Sequence, residues 1–331
     1  MRVLLTGANG FVGSHILDEL CERGIPTTIL IRKTSARTFI EHRLKDVKVV
    51  FADLNYGIKD LETVCESVSD VTHIIHCAGL VRALNKEDFY RVNRDGTYNL
   101  IQLANRLSNQ IQRFILISSL AAAGPSQPGK PRKESDAPEP VSEYGKSKLE
   151  AEKQVINHCR SEYTILRPPG IYGPRDSEFL RLFSAINNHI LPKIGEKQEL
   201  SLVYVKDLAR VAAECLAAGA AARKTYFVAS PEIVTSAELA RRIASELKTW
   251  TIPLWLPVQA LYPVCLAQQI VSKITKKPNV LSLDKYKELK APAWTCDVSC
   301  LKNDLNLVCG TDLSAGVSET IRWYKNQGWL K

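Results

Sequence analysis

"LLTGANGFVGSHIL", residues 4–17, passes from a short apolar run into a helical pattern through three glycines with G-x-x-G-x-x-G spacing. A helix that begins in such a turn presents backbone N–H groups that bind phosphate. Glycine is needed where the chain turns tightly, where the backbone approaches a pyrophosphate and where the helix packs on the sheet. The stretch therefore predicts a dinucleotide-binding turn, with a purely structural turn as the alternative. The predicted cofactor contacts here are Gly7, Asn9, Gly10, Phe11, Val12 and Gly13.

Short β-rich runs alternate with helical patterns through the first two-thirds of the chain. Several of these runs are almost continuously apolar, which is typical of strands covered by helices on both faces. This order predicts an α/β fold with a doubly wound parallel sheet and a smaller, helix-rich C-terminal lobe that binds the substrate. We predict the dinucleotide-binding domain at residues 1–174 and 201–229, and the substrate lobe at residues 175–200 and 230–331. The proline-rich segment 124–142 predicts a long surface loop.

The ends of the second and third predicted strands bear on the choice of cofactor. An NAD site usually has an acidic residue near the end of the second strand, which holds the ribose 2′-hydroxyl. Arg32 and Lys33 stand there instead, and they suit a 2′-phosphate, so NADP is favoured over NAD. Two solvated surface residues are the alternative. Asp53 and Leu54, after the third strand, are predicted to contact the adenine, with a helix N-cap as the alternative role for Asp53.

"SEYGKSKLEAEK", residues 142–153, places a tyrosine and a lysine four residues apart, on one face of a predicted helix. The ammonium of Lys148 and the positive ring of an oxidised nicotinamide would favour the phenolate of Tyr144, and so lower its pKa from the ordinary value of about 10. Tyr144 would then exchange a proton with a substrate oxygen. An ordinary amphipathic helix start is the alternative, because this pair of residue types is common.

The motifs together resemble the extended branch of the short-chain dehydrogenase/reductase superfamily. After TGANGFVG they occur in that family's order: HCAG (76–79), VNRDGTYNL (92–100), SS (118–119), YGKSK (144–148) and RPPGIYGP (167–174). The likeness covers essentially the whole chain. It implies a Rossmann fold, an enzyme that uses NADP or NAD on a small-molecule substrate, and pairing into a homodimer through two long helices.

The resemblance also implies roles for individual residues. Tyr144 matches the family's acid/base tyrosine, and Lys148 its partner, which also holds the nicotinamide ribose. Ser119 matches the serine that hydrogen-bonds the reacting oxygen, with Ser118 and a simple strand-end cap as alternatives. Further cofactor contacts are implied for Cys77, Ala78, Gly79, Pro168, Pro169, Gly170 and Ile171. Non-catalytic, structural roles are implied for Asn93 and Asp207.

Within this superfamily, SSLAAAGP (118–125) and WTCDVSCLKNDLNL (294–307) look closest to the 3β-hydroxysteroid dehydrogenase and dihydroflavonol reductase group. That group interconverts ketones and secondary alcohols. Sugar-nucleotide dehydratases carry acid/base groups where Leu120 and Ala121 stand, and these two side chains move no protons. We therefore predict an oxidoreductase for a ketone and secondary alcohol on a small, apolar substrate.

The predicted substrate lobe leaves alternatives open. Apolar side chains in residues 250–271 are predicted to line a substrate cavity, with packing of the lobe's own core as the alternative; they include Trp250, Trp255, Leu256 and Tyr262. An NDP-sugar epimerase is a competing activity, in which Arg175 and Arg181 would bind a diphosphate. A non-catalytic member that keeps the cofactor as a structural ligand is the third interpretation.

The composition of the chain limits the kinds of binding partner that we expect. The 331 residues are 45% hydrophobic and 24% charged, as in ordinary globular proteins. The net charge of +9 is scattered, which does not favour a nucleic-acid partner. The six histidines show no metal constellation, and the nine cysteines are interpreted as reduced.

Prolines interrupt the apolar stretch 252–271, so we predict a core or interface helix there and no membrane span. We also predict a cytoplasmic enzyme without a signal peptide.

Overall fold

The computed structural model describes residues 1–55, 61–107, 110–194, 197–275 and 282–330. One sheet contains seven parallel strands: β1 (Val3–Thr6), β2 (Thr27–Ile31), β3 (Lys48–Phe51), β4 (His73–His76), β5 (Arg113–Ile117), β6 (Glu162–Arg167) and β10 (Lys224–Phe227). Their order is β10-β6-β5-β4-β1-β2-β3. The chain thus runs outward from β1 to β3 and then returns to add β4 on the other side of β1. This reversal opens a crevice at the carboxyl ends of β1 and β4, where ligands of such sheets bind.

Helices flank this sheet and dominate the C-terminal part of the described chain. Their bounds are α1 (Phe11–Glu22), α2 (Leu61–Ser67), α3 (Lys86–Phe89), α4 (Gly96–Arg106), α5 (Leu120–Ala123), α6 (Glu143–His158), α7 (Leu180–Asn187), α8 (Val205–Ala217), α9 (Ser236–Leu247), α10 (Leu261–Thr275), α11 (Leu283–Lys290), α12 (Ser299–Leu305) and α13 (Leu313–Asn326). A π-helical turn, Tyr90–Asp95, joins α3 to α4. The predicted doubly wound α/β fold with a helix-rich C-terminal region is confirmed.

Alternate side chains along each strand enter two separate cores. Leu5 and Ile75 pack on one face of the sheet with α1 and α8. Leu4 and Ile74 pack on the other face with α2, α4 and α6. Because successive strand residues point to opposite faces, both faces need apolar residues, which explains the continuous apolar runs.

Two smaller sheets lie outside the main one. The first joins β7 (Gly170–Tyr172), β9 (Glu199–Tyr204), β11 (Ile233–Thr235) and β13 (Ala293–Trp294), and the second pairs β8 (Ile190–Ile194) with β12 (Ile252–Leu256). Residues 162–174 therefore contribute two strands, β6 and β7, to different sheets. Two consecutive prolines at 168 and 169 separate them, because proline lacks the N–H that a sheet ladder needs. The domain boundaries given above stay a prediction.

The apolar stretch 252–271 also differs from its prediction, because the helix covers only its second half. Pro253 and Pro257 disfavour a helix, and residues 252–256 form β12, which pairs with a single neighbour. Pro263 lies in the first turn of α10, where proline is tolerated. Within the described residues, no helix has the length and apolarity needed to cross a membrane.

Candidate active site

The glycine-rich turn lies at the carboxyl end of β1, and its shape leaves no room for larger residues. Gly7 has φ +72°, and a Cβ there would lie 2.5 Å from the backbone nitrogen of Ala78. A Cβ on Gly13 would lie 2.1 Å from the carbonyl oxygen of Gly7. Gly10 closes the turn by donating its N–H to that same carbonyl at 3.0 Å. The turn is therefore fixed by close backbone contacts between β1, α1 and the end of β4.

The start of α1 fits an anionic ligand. Gly10 provides no side-chain cap, and the first turn carries no acidic residue, so no side chain competes for the N–H groups at the positive end of the helix dipole. Asn9, Phe11 and Val12 are only partly buried beside this helix end. These residues fit a pyrophosphate of a dinucleotide, as the sequence predicted.

The predicted determinants of cofactor choice follow β2 and β3 at the same edge of the sheet. Arg32 and Lys33 are both exposed. Asp53 is exposed and accepts the N–H of Asn55 at 2.9 Å, so it caps a local turn. Leu54 is buried instead, in the core of the α2, α4 and α6 face. The structure thus brings the basic pair and Asp53 to the nucleotide edge, whereas Leu54 presents its side chain to the core.

The turn after β4 connects the glycine-rich turn to the predicted catalytic lysine. The N–H of Ala78 donates to Thr6 Oγ1 at 3.2 Å, and a Cβ on Gly79 would lie 3.7 Å from Lys148 Nζ. Asn93 fixes this turn from the π-helical segment, because it accepts the N–H of Leu80 at 2.7 Å and donates to the carbonyl of Leu80 at 3.0 Å. The structural role predicted for Asn93 fits these bonds. The nucleotide turn and the catalytic helix are therefore direct neighbours.

The two serines after β5 have different surroundings. Ser118 is buried and donates to Glu152 Oε1 at 2.5 Å, and Glu152 in turn forms a buried ion pair with Arg167 at 2.6 Å. Ser119 is partly exposed, and its hydroxyl lies close enough to the phenol of Tyr144 to lower the pKa of that phenol. The hydroxyl oxygen of Ser119 also accepts the N–H of Ala121 at 3.1 Å. Ser119 therefore caps the end of the strand, as the alternative interpretation of this residue stated. Ser118 is occupied by a structural network, which leaves Ser119 as the serine of the site.

Tyr144 and Lys148 lie on one face of α6, and burial shifts the pKa of both side chains. Lys148 is buried and donates to the carbonyl oxygen of Ile117 at 2.6 Å, and burial lowers its pKa to about 8. Burial raises the pKa of Tyr144 to about 12, although the nearby hydroxyl of Ser119 opposes this. The lowering of the pKa of Tyr144 expected from Lys148 together with an oxidised nicotinamide ring stays a prediction.

The segment after β6 lies against Ser119 on the other side. The carbonyl of Pro168 accepts the N–H of Leu120 at 2.8 Å. Pro169 and Gly170 are partly or fully exposed there, and Ile171 belongs to β7. This loop, implied by the resemblance as a cofactor contact, is thus tied by a backbone bond to the residue that follows Ser119.

The N-terminus of α6 is capped by a residue that the sequence did not indicate. Asp284 of α11 accepts the N–H groups of Glu143 at 2.8 Å and Tyr144 at 3.3 Å. Ser142 accepts the N–H of Gly145 at 3.0 Å and donates to Glu288 of α11 at 2.7 Å. Only Ser142 carried a signal, because serine is a common N-cap before a helix. The C-terminal part of the chain therefore holds the catalytic helix end directly.

A charged contact near Tyr144 was also missed. Arg82, in the loop after β4, is in contact with the carboxylate of Glu178. Glu178 and Glu288 both raise the pKa of Tyr144 by their negative charge. Neither glutamate belongs to a recognisable motif, so only the folded chain brings them to the site.

The residues proposed for other ligands lie elsewhere. Arg175 forms an ion pair with Asp18 of α1 at 2.8 Å, and Arg181 is exposed on α7. Trp250, Trp255 and Tyr262 are exposed, so the interpretation that they pack in a core of the lobe is wrong, whereas their lining of a substrate cavity stays a prediction. The side chain of Leu256 lies outside the described part of the chain.

One buried histidine, His76, and one aspartate, Asp207, make structural contacts. His76 is hydrogen-bonded to Thr6 at 2.7 Å and to Thr97 at 3.0 Å, and burial lowers its pKa to about 3, so it is a neutral core residue. Asp207 of α8 accepts the N–H of Thr311 at 2.9 Å and so connects α8 to the segment before α13. Neither residue faces Tyr144 in these contacts.

The class of protein follows from where these groups meet. A phosphate-binding turn and a tyrosine–lysine pair adjoin one crevice of a doubly wound sheet, as in extended short-chain dehydrogenases/reductases. The chain belongs to the NAD dependent epimerase/dehydratase family, whose model matches residues 3–229. The resemblance stated from the sequence is confirmed, and the chain is an NAD(P)-dependent enzyme of the extended short-chain type.

Relatives of this chain include both reductases and epimerases. A ceramide reductase of Caulobacter vibrioides is 29% identical over 99% of this chain and 96% of its own length. A UDP-glucose 4-epimerase of Vibrio cholerae is 30% identical over 76% of this chain and 78% of its own length. A putative dihydroflavonol 4-reductase of a Synechocystis strain is 24% identical over 99% of this chain and 95% of its own length.

Among solved structures, a UDP-glucose 4-epimerase of Thermotoga maritima with UDP-glucose has a TM-score of 0.77 at 18% identity, over 99% of both chains. At this identity the likeness concerns the fold. The family is thus established, and the choice between oxidoreductase and epimerase depends on the site.

Proposed function

We propose that the chain is an NADP-preferring oxidoreductase that interconverts a ketone and a secondary alcohol on a small, apolar substrate. The observation that carries this proposal is the position of the buried Lys148 on the same helix as Tyr144: its ammonium donates to the carbonyl of Ile117, two residues before Ser119, and lies next to Gly79 of the turn after β4. Bound NADPH supplies the hydride in the direction of reduction.

The chain's own residues supply binding and proton transfer. Ser119 and Tyr144 hydrogen-bond the carbonyl oxygen of the substrate, which polarises the carbonyl group. Tyr144 donates its proton to that oxygen as the alcohol forms, and takes a proton back in the oxidative direction. The protonated Lys148 stabilises the phenolate that is left on Tyr144. Tyr144 regains a proton from solvent before the next turnover.

The preference for NADP rests on charge at the end of β2. Arg32 and Lys33 are exposed, and neither forms an ion pair in the described residues. A guanidinium and an ammonium there would neutralise a 2′-phosphate, whereas no acidic residue follows β2 to hold a 2′-hydroxyl. Both features support NADP.

The choice of ketone reduction over sugar-nucleotide chemistry rests on two observations. Arg175, a candidate for binding a substrate diphosphate, is paired with Asp18 at 2.8 Å. Leu120 and Ala121, buried after Ser119, provide no acid or base for an elimination. The ceramide reductase relative also favours an apolar substrate. An NDP-sugar epimerase is the second candidate, because the Vibrio relative carries that name.

A ligand and turnover panel tests this proposal. Purified protein is screened by thermal shift with NADP and NAD, and NADPH consumption is then followed with hydrophobic ketones, while UDP-sugars are assayed for epimerisation. Because a selective ligand stabilises only the folded state, NADP should raise the melting temperature more than NAD. We expect turnover with at least one hydrophobic ketone. Epimerisation of a UDP-sugar without any ketone turnover would overturn the assignment in favour of the second candidate.

A further inference from the structure

The outer side of helix α10 carries large apolar side chains that are exposed to solvent, whereas its inner side holds Leu261, Cys265 and Ser272. Tyr262, Leu266 and Ile270 follow one another on its exposed side, each more than two-fifths exposed. Ser272 is buried, with 8% of its surface exposed. A surface helix of a self-contained globular protein carries polar residues on its outer side. The outer side of α10 is therefore built to contact something other than water.

The same property extends to the strand that precedes α10. Nine large apolar side chains between residues 250 and 271 have exposed fractions from 42% to 65%: Trp250, Ile252, Leu254, Trp255, Tyr262, Val264, Leu266, Ile270 and Val271. Large exposed apolar residues elsewhere in the described chain are scattered singly, as is usual. We call this segment, residues 250–271, the apolar face. Such concentration marks an interaction site.

The sequence on either side of the apolar face carries lysines, and no acidic residue follows the face until Asp284. In the sequence, no acidic residue occurs between Glu246 and Asp284, whereas four lysines do: Lys248, Lys273, Lys276 and Lys277. A cavity of about 380 Å³ beside β12 includes Lys193 and Arg241 in its lining. Lys193 Nζ also lies 4.0 Å from the centre of the Trp255 ring. The apolar face is therefore flanked by lysines in the sequence, and Lys193 contacts one of its tryptophans.

We propose that the apolar face docks on an anionic membrane surface. Tryptophan and tyrosine favour the boundary between lipid headgroups and acyl chains, and nearby lysines attract acidic headgroups. The length of α10 suits a helix that lies in the plane of that boundary without crossing the bilayer. A second copy of the chain fits less well, because a symmetric pairing through Trp255 would bring Lys193 of the two copies together and like charges oppose such contact.

The apolar face is connected to the catalytic helix. The ring of Tyr262 packs edge-on against Tyr286 of α11 at 5.5 Å, and α11 carries Asp284, which caps α6. If the proposed ketone reductase activity holds, docking would present the site to substrates dissolved in the membrane. The docking itself does not depend on that activity.

Vesicle flotation tests the docking with the full chain. Wild-type protein is mixed with phosphatidylcholine vesicles, or with vesicles in which about one-third of the lipid is phosphatidylglycerol, and the bound fraction is measured at low and high salt. The test variant is Leu266→Glu/Ile270→Glu, and the matched control is Ile156→Glu on α6, where the wild-type side chain is 50% exposed. Trp250→Ser provides a second test variant if the double variant fails to fold.

We expect wild type and Ile156→Glu to float with the anionic vesicles, less so at high salt, and the double variant to lose binding by about tenfold or more. Absence of wild-type binding to anionic vesicles, or equal binding by wild type and both test variants, would overturn the proposal. A wild-type dimer that the double variant dissociates, with no vesicle binding by either, would overturn it in favour of a second copy. Because vesicle binding is measured without turnover, its failure is distinguishable from failure of the proposed activity.

Discussion

The seven-stranded sheet and the apolar face follow opposite rules of burial. In the sheet, apolar residues point into two cores, and the buried Glu152–Arg167 pair is matched in charge and hydrogen-bonded. In residues 250–271, apolar residues point outward. In the sheet, apolar residues are buried and charges are paired within the chain. In the apolar face, the apolar residues stay exposed in the chain alone, and we propose that a membrane covers them. Burial thus distinguishes the sheet, which determines the fold and carries the proposed reaction, from residues 250–271, which we propose determine binding to a membrane.

The largest expected effect comes from unbalancing the buried ion pair of the first region. Arg167→Met leaves Glu152 as a buried carboxylate without its partner, which typically costs about 3–5 kcal/mol of unfolding free energy. Urea unfolding measures the loss. Arg167→Met/Glu152→Leu should recover part of it, because the double variant removes the unpaired charge. If the single variant loses less than about 1 kcal/mol of unfolding free energy, Glu152 does not depend on Arg167 as a buried partner.

The second prediction concerns the reaction, which is assigned to the same region. Tyr144→Phe removes the proton donor but keeps the ring, so turnover should fall by about 10² or more while nucleotide affinity changes little. Stopped-flow measurement of NADPH oxidation, together with a nucleotide binding titration, checks both. Leu266→Glu/Ile270→Glu is the matched control and should keep its turnover on a water-soluble ketone. Turnover retained by Tyr144→Phe would contradict the acid/base role.

A smaller effect is expected at the nucleotide edge. Arg32→Ala should weaken NADP binding by about tenfold and NAD binding much less, because one charge contact with a 2′-phosphate is worth about 1–2 kcal/mol. Calorimetric titration with both nucleotides gives the ratio, and Arg37→Ala on the following loop serves as a charge-matched control. An equal loss for NADP and NAD would argue against a 2′-phosphate contact.

The smallest expected effect concerns the contribution of the apolar face to the unfolding free energy. Since Leu266 and Ile270 contribute little to any core, Leu266→Glu/Ile270→Glu should change the unfolding free energy by less than about 1 kcal/mol. The same substitutions at Leu5 and Ile75, which are fully buried, should prevent folding. Chemical unfolding followed by circular dichroism distinguishes the two outcomes. A large loss at 266 and 270 would mean that the apolar face is part of a core.

The sequence predicted the parts of the molecule whose chemistry is local. The glycines at 7 and 13 are required by backbone contacts within one turn and its neighbour, and the apolar runs report strands covered on both faces. The spacing of Tyr144 and Lys148 is enough to place them on one helical face. These features depend on residue type and separation along the chain, which a sequence displays directly.

The parts that the sequence did not predict depend on distant or featureless partners. Asp284 caps a helix that begins 141 residues earlier, and no pattern at either position reveals the pairing. Lys148 donates to the carbonyl of Ile117, and a backbone acceptor carries no residue-type signal. For α10, periodicity indicates which residues share a side but not which side faces water. The exposure of Tyr262 and Leu266 therefore emerged only from the folded chain.

The acidity of Tyr144 provides the most direct test of the central claim, that its phenol exchanges a proton beside a bound nicotinamide. In the protein without nucleotide, its folded pKa of about 12 lies above the ordinary value of about 10. Since the folded state holds this proton more tightly, the stabilisation that it provides is present below pH 10 and is lost as the pH rises through 12.

Phenolate absorbance is therefore titrated in wild type and in Tyr144→Phe, so that the other tyrosines cancel in the difference. Without nucleotide, the account predicts no ionisation of Tyr144 up to about pH 10. With oxidised nucleotide bound, it predicts ionisation below about pH 10, because the nicotinamide ring and Lys148 then favour the phenolate. A difference titration that stays unchanged when the nucleotide binds would contradict the account.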